Sequence, residues 1–191
     1  NLEYGGIVRI GAVKGRGGSL LLDPQNITVD AAGAASAAQV AAFNTNANTD
    51  RTVSNATLDA VGGNVTLQAN NDITVNQAVN LTTGGATLTM QAGRSILLNQ
   101  SITTNNGAIT LIANDVTDGS ANTVQAANRS NGTALITFAS GVTINAGSAN
   151  IQITMNTGST RVGAAATSGN ITLGNLTTTG HALVRNIGPT A

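Results

Sequence analysis

The sequence predicts an all-β fold, a right-handed parallel β-helix, from three observations. Short runs in which apolar and polar residues alternate recur along the chain, and this alternation has the two-residue period of a β-strand. The runs repeat at a nearly constant interval, which is the pattern of a solenoid of stacked coils. Aromatic residues form only 2% of the chain, as we expect for a narrow core filled by aliphatic side chains.

The repeat is about 22 residues long. An alternating run at 65–69, 88–92 or 109–113 follows each of three evenly spaced glycines: Gly63, Gly85 and Gly107. Pairs of apolar positions share one offset of 23 residues: Leu67 and Met90, Ile73 and Ile96, and Val79 and Ile102. A unit this short cannot bury its apolar face alone, so it has to stack on copies of itself.

The N-terminal part is predicted to hold strands over residues 1–30, followed by a short helix and a loop over 31–61. The expected strands are at residues 7–10, 19–22 and 27–29. A helix is predicted near residues 36–43, because Ser36 is a suitable N-cap before an Ala-rich run. The polar stretch 44–55 is predicted to be a loop.

Residues 62–191 are predicted to be coils of a single β-helix that spans 1–191 and is a fragment of a longer shaft. An insertion at about 117–131 is rich in Asn, Ser and Gly and is expected to protrude. Strands resume at residues 135–138, 142–144, 151–155, 171–173 and 183–184. About eight turns of about 4.8 Å each give a rod of about 40 Å. Asn side chains suit the corners, and we expect corner positions at Asn70, Asn71, Asn76, Asn99, Asn105 and Asn106.

Composition excludes several classes of function. Charged residues form 8% of the chain, the net charge is +0, and Lys14 is the single lysine. The clustered basic residues that a nucleic-acid backbone requires are therefore missing. The chain has no Cys, which removes disulfides and thiolate metal sites. It has no apolar run of about 20 residues to cross a bilayer as a helix.

Candidate catalytic groups are few. A β-helix lyase or hydrolase needs two or more carboxylates close together. The acidic residues are Glu3, Asp23, Asp30, Asp50, Asp59, Asp72, Asp115 and Asp118. Asp115 and Asp118 are close in sequence, and Asp72 can stack near Asp115, but turn or solvated positions fit them better. His181 is the only histidine, which excludes a multi-His metal site.

The glycine-rich segment 15–18 lacks the features of a phosphate-binding loop and is interpreted as a bend. We therefore predict that the chain is not an enzyme and that it has no catalytic, cofactor-binding or metal-binding residues. Scattered outward threonines also fit poorly with the flat regular array that an ice-binding face needs.

Two segments carry a resemblance to a known family. Residues 17–29 read GGSLLLDPQNITV and residues 63–75 read GNVTLQANNDITV, with the predicted short helix between them. This order resembles the large exoproteins of the two-partner secretion pathway of Gram-negative bacteria, the filamentous haemagglutinin-like and high-molecular-weight adhesin-like proteins. The resemblance covers about residues 11–104.

The resemblance implies a β-helical shaft that is secreted through an outer-membrane partner and lies at the cell surface of a Gram-negative bacterium, or is released from it. It implies adhesion to glycans or proteins of host or bacterial surfaces. The secretion-domain motifs of the family, Asn-Pro-Asn-Gly-Ile and Asn-Pro-Asn-Leu, do not occur here. We therefore expect this segment to lie downstream of that domain, or the domain to have been lost.

Because some adhesins of this family are glycosylated, the Asn-x-Ser/Thr sequons are candidate modification sites. They are Asn26, Asn55, Asn64, Asn80, Asn99, Asn128, Asn131, Asn170 and Asn175. The alternative interpretation of each is an Asn corner followed by a Thr-bearing strand.

The leading hypothesis is thus a structural and adhesive shaft of a secreted surface exoprotein, with self-assembly into extracellular fibres as a further expectation. One alternative is a β-helix polysaccharide lyase or hydrolase. Another is a haem- or ligand-acquisition binder that acts through the inserted segments 44–55 and 117–131.

Overall fold

The computed structural model describes residues 19–22, 24–33, 48–116, 124, 126–158 and 167–188. Within these residues it contains sixteen β-strands, one short α-helix and one 3-10 turn. The strands are β1 (Ser19–Leu22), β2 (Ile27–Val29), β3 (Arg51–Val53), β4 (Asn64–Ala69), β5 (Ile73–Val75), β6 (Val79–Leu81), β7 (Leu88–Ala92), β8 (Ile96–Leu98), β9 (Ile102–Thr104), β10 (Ile109–Ala113), β11 (Ala134–Phe138), β12 (Thr143–Asn145), β13 (Ile151–Met155), β14 (Ser168–Thr172), β15 (Asn175–Thr177) and β16 (Ala182–Asn186). The helix is α1 (Asn55–Asp59) and the 3-10 turn is Ala126–Asn128.

The strands form three parallel sheets that run side by side along one rod. Sheet one has the order β1-β4-β7-β10-β13-β16, and sheet two has the order β3-β2-β5-β8-β11-β14. Sheet three has the order β6-β9-β12-β15. Because the chain visits the three sheets in turn and then pairs with its previous coil, the predicted parallel β-helix is confirmed.

The register between coils follows the 23-residue offset of the sequence. Leu67 pairs with Met90 in sheet one, Ile73 with Ile96 in sheet two, and Val79 with Ile102 in sheet three. A strand shifted by one residue would turn its apolar side chains to solvent, so this register is held by burial.

The core is a set of aliphatic columns inside the coils. In sheet one the inward column contains Leu67, Met90, Leu111 and Ile153, each with 0% of its surface exposed. Fully burying such a side chain contributes about 1.5–3 kcal/mol. The width of the core therefore suits aliphatic residues, as the composition predicts.

The N-terminal coil differs from the prediction for residues 44–55. The interpretation of this stretch as a loop is wrong for Arg51–Val53, which form β3 and pair with β2. A single apolar side chain is enough to hold this strand against the core, because Val53 points inward beside Val29 and is 1% exposed. The predicted helix near 36–43 and the predicted strand at 7–10 lie outside the described residues.

Helix α1 takes the place that a strand of sheet three would occupy in this coil, against β6. Ser54 is its N-cap, and the Ser54 Oγ atom accepts a hydrogen bond of 3.0 Å from the backbone N–H of Thr57. Leu58 and Val61 are 0% exposed. The helix therefore covers the N-terminal edge of sheet three.

Two side chains of the predicted insertion at 117–131 lie against the rod: Val124 is 1% exposed and Arg129 is 6% exposed. Ala127, Ser130 and Asn131 of the same segment are exposed. Residues 117–123 and 125 lie outside the described residues. Among the described residues sheet one contains six strands, and insertions lengthen several of its coils. At about 4.8 Å per strand, the described rod is about 29 Å long.

Asparagines occupy the corners, as predicted. Asn70 and Asn71 join β4 to β5, Asn76 follows β5, Asn99 follows β8, and Asn105 and Asn106 follow β9. The Asn99 Nδ2 atom donates to the Asn76 Oδ1 atom of the previous coil at 2.8 Å. Asn106 has a φ of 60°, a left-handed conformation that Asn tolerates better than most residues.

Candidate functional site

A group of hydrogen-bonded polar side chains lies at the corner between sheets one and two. We call it the polar corner, and it comprises the buried Asn71, Asn114 and Arg129 and the half-buried Asp72 and Arg94. Asn71 and Asp72 lie on one coil, Arg94 on the next and Asn114 on the one after, so the winding of the chain stacks them. Arg129 reaches the same place from the insertion.

Asp72 and Arg94 form an ion pair between adjacent coils. The Arg94 Nε atom donates to Asp72 Oδ1 at 2.9 Å, and Arg94 Nη2 donates to Asp72 Oδ2. Asp72 Oδ1 also accepts the backbone N–H of Ser95 at 3.0 Å. The hydrogen bond to Asp72 raises the pKa of Arg94, so this guanidinium stays charged at every physiological pH.

Arg129 clamps the insertion to the rod. Its Nε atom donates to the carbonyl of Gly93 at 2.7 Å, and its Nη1 atom donates to the carbonyl of Ser130 at 2.7 Å. Its Nη2 atom donates to the carbonyl of Gly132 at 3.0 Å and to Asn114 Oδ1 at 3.3 Å. Burial, followed by the charge of Arg94, lowers the pKa of Arg129 to about 10, which still leaves it charged at neutral pH.

Asn114 completes the polar corner on its C-terminal side. It is 0% exposed and has a φ of 50°. Its Nδ2 atom donates to the Ser168 Oγ atom at 3.0 Å and to the carbonyl of Asn156 at 3.2 Å. Since its Oδ1 atom accepts from Arg129, the side chain joins the insertion to the next coil, on which Asn156 and Ser168 both lie. Each of the five side chains of the polar corner makes hydrogen bonds within the protein, so the polar corner stabilises the fold.

Sequence reasoning missed Arg94, Asn114 and Arg129. The sequence could have drawn attention to Arg129. The chain has only eight Lys and Arg, and Arg129 lies within an insertion of small uncharged residues. Its partners Gly93 and Asn114 could not be predicted, because the insertion separates both of them from Arg129 in the sequence.

The predicted carboxylates are distributed along the rod. Asp72 contacts Arg94, whereas Asp115 accepts from Gln91 Nε2 at 3.3 Å and from Asn156 Nδ2 at 3.1 Å. Asp30, Asp50 and Asp59 accept hydrogen bonds at turns, from Ala31 N, Asn26 Nδ2 and Asn80 N respectively. Glu3, Asp23, Asp118 and the glycine-rich segment 15–18 lie outside the described residues. In the described part of the chain, no group of three or more His, Cys, Asp or Glu could hold a metal ion.

Asp59 and His181 are the remaining titratable candidates. Burial raises the pKa of Asp59, and the hydrogen bond from the backbone N–H of Asn80 partly offsets this effect. His181 is exposed before β16, and its backbone N–H donates to Asn150 Oδ1 at 2.9 Å.

The sequons fall into two groups, according to whether the Nδ2 atom of the asparagine donates a hydrogen bond within the protein. The Nδ2 atom donates a hydrogen bond within the protein at four sequons: Asn26, Asn55, Asn99 and Asn175. Four others are exposed residues: Asn64, Asn80, Asn131 and Asn170. Asn128 is half-buried in the 3-10 turn. Asn99 and Asn175 are exposed as well, so what distinguishes the second group of four is that an enzyme can reach the amide nitrogen without breaking a hydrogen bond that the first group makes.

Uncharged polar rows cover the outer faces. In sheet two one outward row contains Thr52, Thr28, Thr74, Leu97, Thr137 and Thr172 in the order of the strands. In sheet one the Gln68 Nε2 atom donates to Gln91 Oε1 at 2.7 Å, and Gln91 in turn donates to Asp115. These rows run along the rod and present similar groups at each coil.

The C-terminal coil ends in exposed strand edges. Val184 pairs with Ile153 and so continues the inward column of sheet one, yet it is 39% exposed. Leu173, Leu183 and Ile187 are 42%, 46% and 43% exposed. Among the described residues, this coil thus carries four of the five exposed large hydrophobic side chains, and Leu135 is the fifth. No described strand pairs with the free edge of β14, β15 or β16.

No family model, no curated protein and no solved structure matches this chain. In the described part of the chain, no helix is long and apolar enough to cross a bilayer.

Proposed function

We propose that this chain is part of the structural shaft of a secreted bacterial surface exoprotein that acts in adhesion. The observation that carries the proposal is the unbroken parallel pairing of the six strands of sheet one, five of which, from β4 to β16, extend one core column from Leu67 to Val184. A stack of this kind is stiff, because bending it would break hydrogen bonds and core contacts at each coil.

The outer surface supports adhesion as the role of the shaft. Its rows of Thr, Asn and Gln carry few charges and recur at each coil. Single contacts of such groups with a glycan or a neighbouring rod are weak, but many contacts along one rod act together through their high effective concentration. The secretion pathway and the cell-surface location rest on the resemblance of residues 17–29 and 63–75 to two-partner secretion exoproteins.

The proposal is tested on the bacterium that produces the chain. Gold-labelled antibodies raised against purified residues 1–191 should decorate the surface of intact, unpermeabilised cells and material shed from them. The purified chain should also compete with the cells for attachment to host or bacterial surfaces. Labelling that requires permeabilised cells would contradict secretion. Surface labelling without any competition would contradict adhesion.

We also propose that purified rods of residues 1–191 associate through the open strand edges of their C-terminal coil. The exposed edges of β14, β15 and β16 and the half-exposed Val184 can bury their surface against a further coil. The test is sedimentation of the purified chain over a range of concentrations. Val184→Lys should reduce association, because it places a charge on the core column at the open end.

Leu135→Lys is the matched control, since Leu135 is similarly exposed at 37% but lies on a middle coil. Equal association of the two variants would show that the C-terminal edge is not the contact. A monomer at all concentrations would contradict self-assembly itself.

A further inference from the structure

Two Asn-Gly pairs occur in the chain, at Asn106–Gly107 and Asn131–Gly132. Asparagine is a thermolabile residue, and its side chain is most open to attack when the next residue is glycine. Glycine has no side chain, so its backbone nitrogen approaches the carboxamide of the preceding residue with little hindrance. The structure places the two pairs in opposite environments.

Asn106–Gly107 is held in place at its corner. The Asn106 Oδ1 atom accepts from the backbone N–H and from the hydroxyl of Ser148, at 2.9 Å and 3.0 Å. Its Nδ2 atom donates to Asn105 Oδ1 at 3.1 Å. A Cβ atom at Gly107 would lie 1.7 Å from the carbonyl oxygen of Ala86, so the backbone here has no room to rotate.

Asn131–Gly132 is open. Asn131 is exposed, and its carboxamide makes no hydrogen bond to any residue that the structure describes. Gly132 has a φ of 114°, which few other residues adopt, and a Cβ atom there would meet nothing within 4 Å. No neighbouring atom therefore blocks rotation of this peptide toward the Asn131 side chain, and the rotation has to break only the 3.2 Å hydrogen bond from Arg94 Nη1 to the Asn131 carbonyl.

We propose that Asn131 is a site of spontaneous deamidation and that Asn106 is protected from it. The backbone nitrogen of Gly132 loses its proton to hydroxide and bonds to Cγ of Asn131. The Cγ–Nδ2 bond breaks, and Nδ2 takes a proton from water and leaves as ammonia. Water then opens the resulting succinimide at either carbonyl, which yields an aspartyl or an isoaspartyl residue.

The reaction alters the attachment of the insertion to the rod. The carbonyl of Asn131 accepts from Arg94 Nη1 at 3.2 Å, and the carbonyl of Gly132 accepts from Arg129 Nη2 at 3.0 Å. In an isoaspartyl residue the main chain runs through Cβ and Cγ, and the former backbone carbonyl of Asn131 becomes a free carboxylate on Cα. Gly132 is then joined to the chain at a different atom, so Arg94 and Arg129 can no longer hold these two groups in their present geometry, and the polar corner loosens.

Trypsin separates the two sites, because cleavage after Arg94, Arg129 and Arg161 places Asn106 in residues 95–129 and Asn131 in residues 130–161. The folded chain is incubated in mildly alkaline buffer, digested and followed by mass spectrometry. We expect peptide 130–161 to exchange an NH for an O at Asn131 several-fold faster than peptide 95–129 reacts at Asn106. Equal rates, a faster reaction at Asn106, or a modification at another Asn of 130–161 would overturn the proposal.

Two controls separate the effect of the fold from that of the local sequence. In concentrated urea both sites should react at similar rates, and a difference that persists there would overturn the assignment to structure.

Asn131→Gln should abolish the product, since ring closure through the longer side chain is unfavourable. Aged wild-type protein should unfold at a lower urea concentration than aged Asn131→Gln protein, and equal midpoints would contradict the loosening of the polar corner.

Discussion

Arg129 donates its Nε hydrogen to the carbonyl of Gly93 at 2.7 Å, and this bond ties the insertion to the corner between β7 and β8. A Cβ atom at Gly93 would lie 2.1 Å from the carbonyl oxygen of Asn70 and 2.6 Å from Val124 Cγ1. The glycine therefore allows both the preceding coil and the insertion to approach the corner. In the polar corner, Arg129 from the insertion donates hydrogen bonds to residues of the stacked coils.

Removing the Arg129 clamp should destabilise the fold. Arg129→Met retains much of the side-chain volume but removes the hydrogen bonds that the guanidinium donates to the carbonyls of Gly93, Ser130 and Gly132 and to Asn114 Oδ1. A hydrogen bond to a charged group contributes about 1.5–3 kcal/mol, so we expect a loss of about 2–4 kcal/mol in the free energy of unfolding.

The measurement is urea denaturation followed by circular dichroism. Arg185→Met, on the exposed strand β16, is the control and should change stability by less than about 0.5 kcal/mol. Similar effects of the two substitutions would show that the polar corner contributes no more than an exposed arginine.

A methyl group at Gly107 should be far more damaging than one at Gly84. At Gly107 it would meet the Ala86 carbonyl oxygen at 1.7 Å, whereas at Gly84 its nearest contact is Asn105 Nδ2 at 3.9 Å. Since backbone has to move at Gly107, we expect Gly107→Ala to cost about 3 kcal/mol, the upper end of the usual range for overpacking. Gly84→Ala should be close to neutral in the same urea experiment, and a comparable loss for both would contradict the close approach of the coils.

Asp59 should make the stability of the N-terminal coil depend on pH. Burial raises the pKa of Asp59 above its ordinary value of 3.8, so the folded state binds more protons than the unfolded state just above that value. Its contribution to stability is thus fully present below pH 3.8 and is lost as the pH rises through the folded-state pKa.

Asp59→Asn keeps an oxygen to accept from Asn80 and removes the buried charge. The variant should therefore melt at a higher temperature than the wild type at neutral pH. The two melting temperatures should converge in acid below the ordinary aspartate pKa. A variant that is less stable at neutral pH would show that the carboxylate charge is favourable in this site.

Glycosylation, if the producing cell modifies the chain, should follow the exposure of the amide nitrogen. We expect glycopeptides at Asn64, Asn80, Asn131 or Asn170 and none at Asn26, whose Nδ2 atom donates to Asp50 at 2.6 Å. Mass spectrometry of protein purified from its natural producer identifies the modified residues. A glycan at Asn26 would contradict the assignment of that residue to a closed corner.

The regular coils can be predicted from the sequence, because the repeat interval shows which residues of successive coils pair with each other. The shared offset of Leu67 and Met90 defines the register, and each such pair has to face inward to be buried. Strand β3 could not be predicted from its composition, because Val53 is the only core side chain of that strand and no alternation of apolar and polar residues marks it. Arg129 was missed for another reason: the insertion has no period, so nothing in the sequence shows which coil it contacts.

Electron microscopy of the native, unfractionated material that contains this chain tests the central claim of a shaft most directly. The account predicts long fibres with an axial repeat of about 4.8 Å, the spacing of stacked β-strands. Isolated particles about 30 Å long, with no fibres, would contradict it, because they would mean that the C-terminal edges are covered and that the rod does not continue.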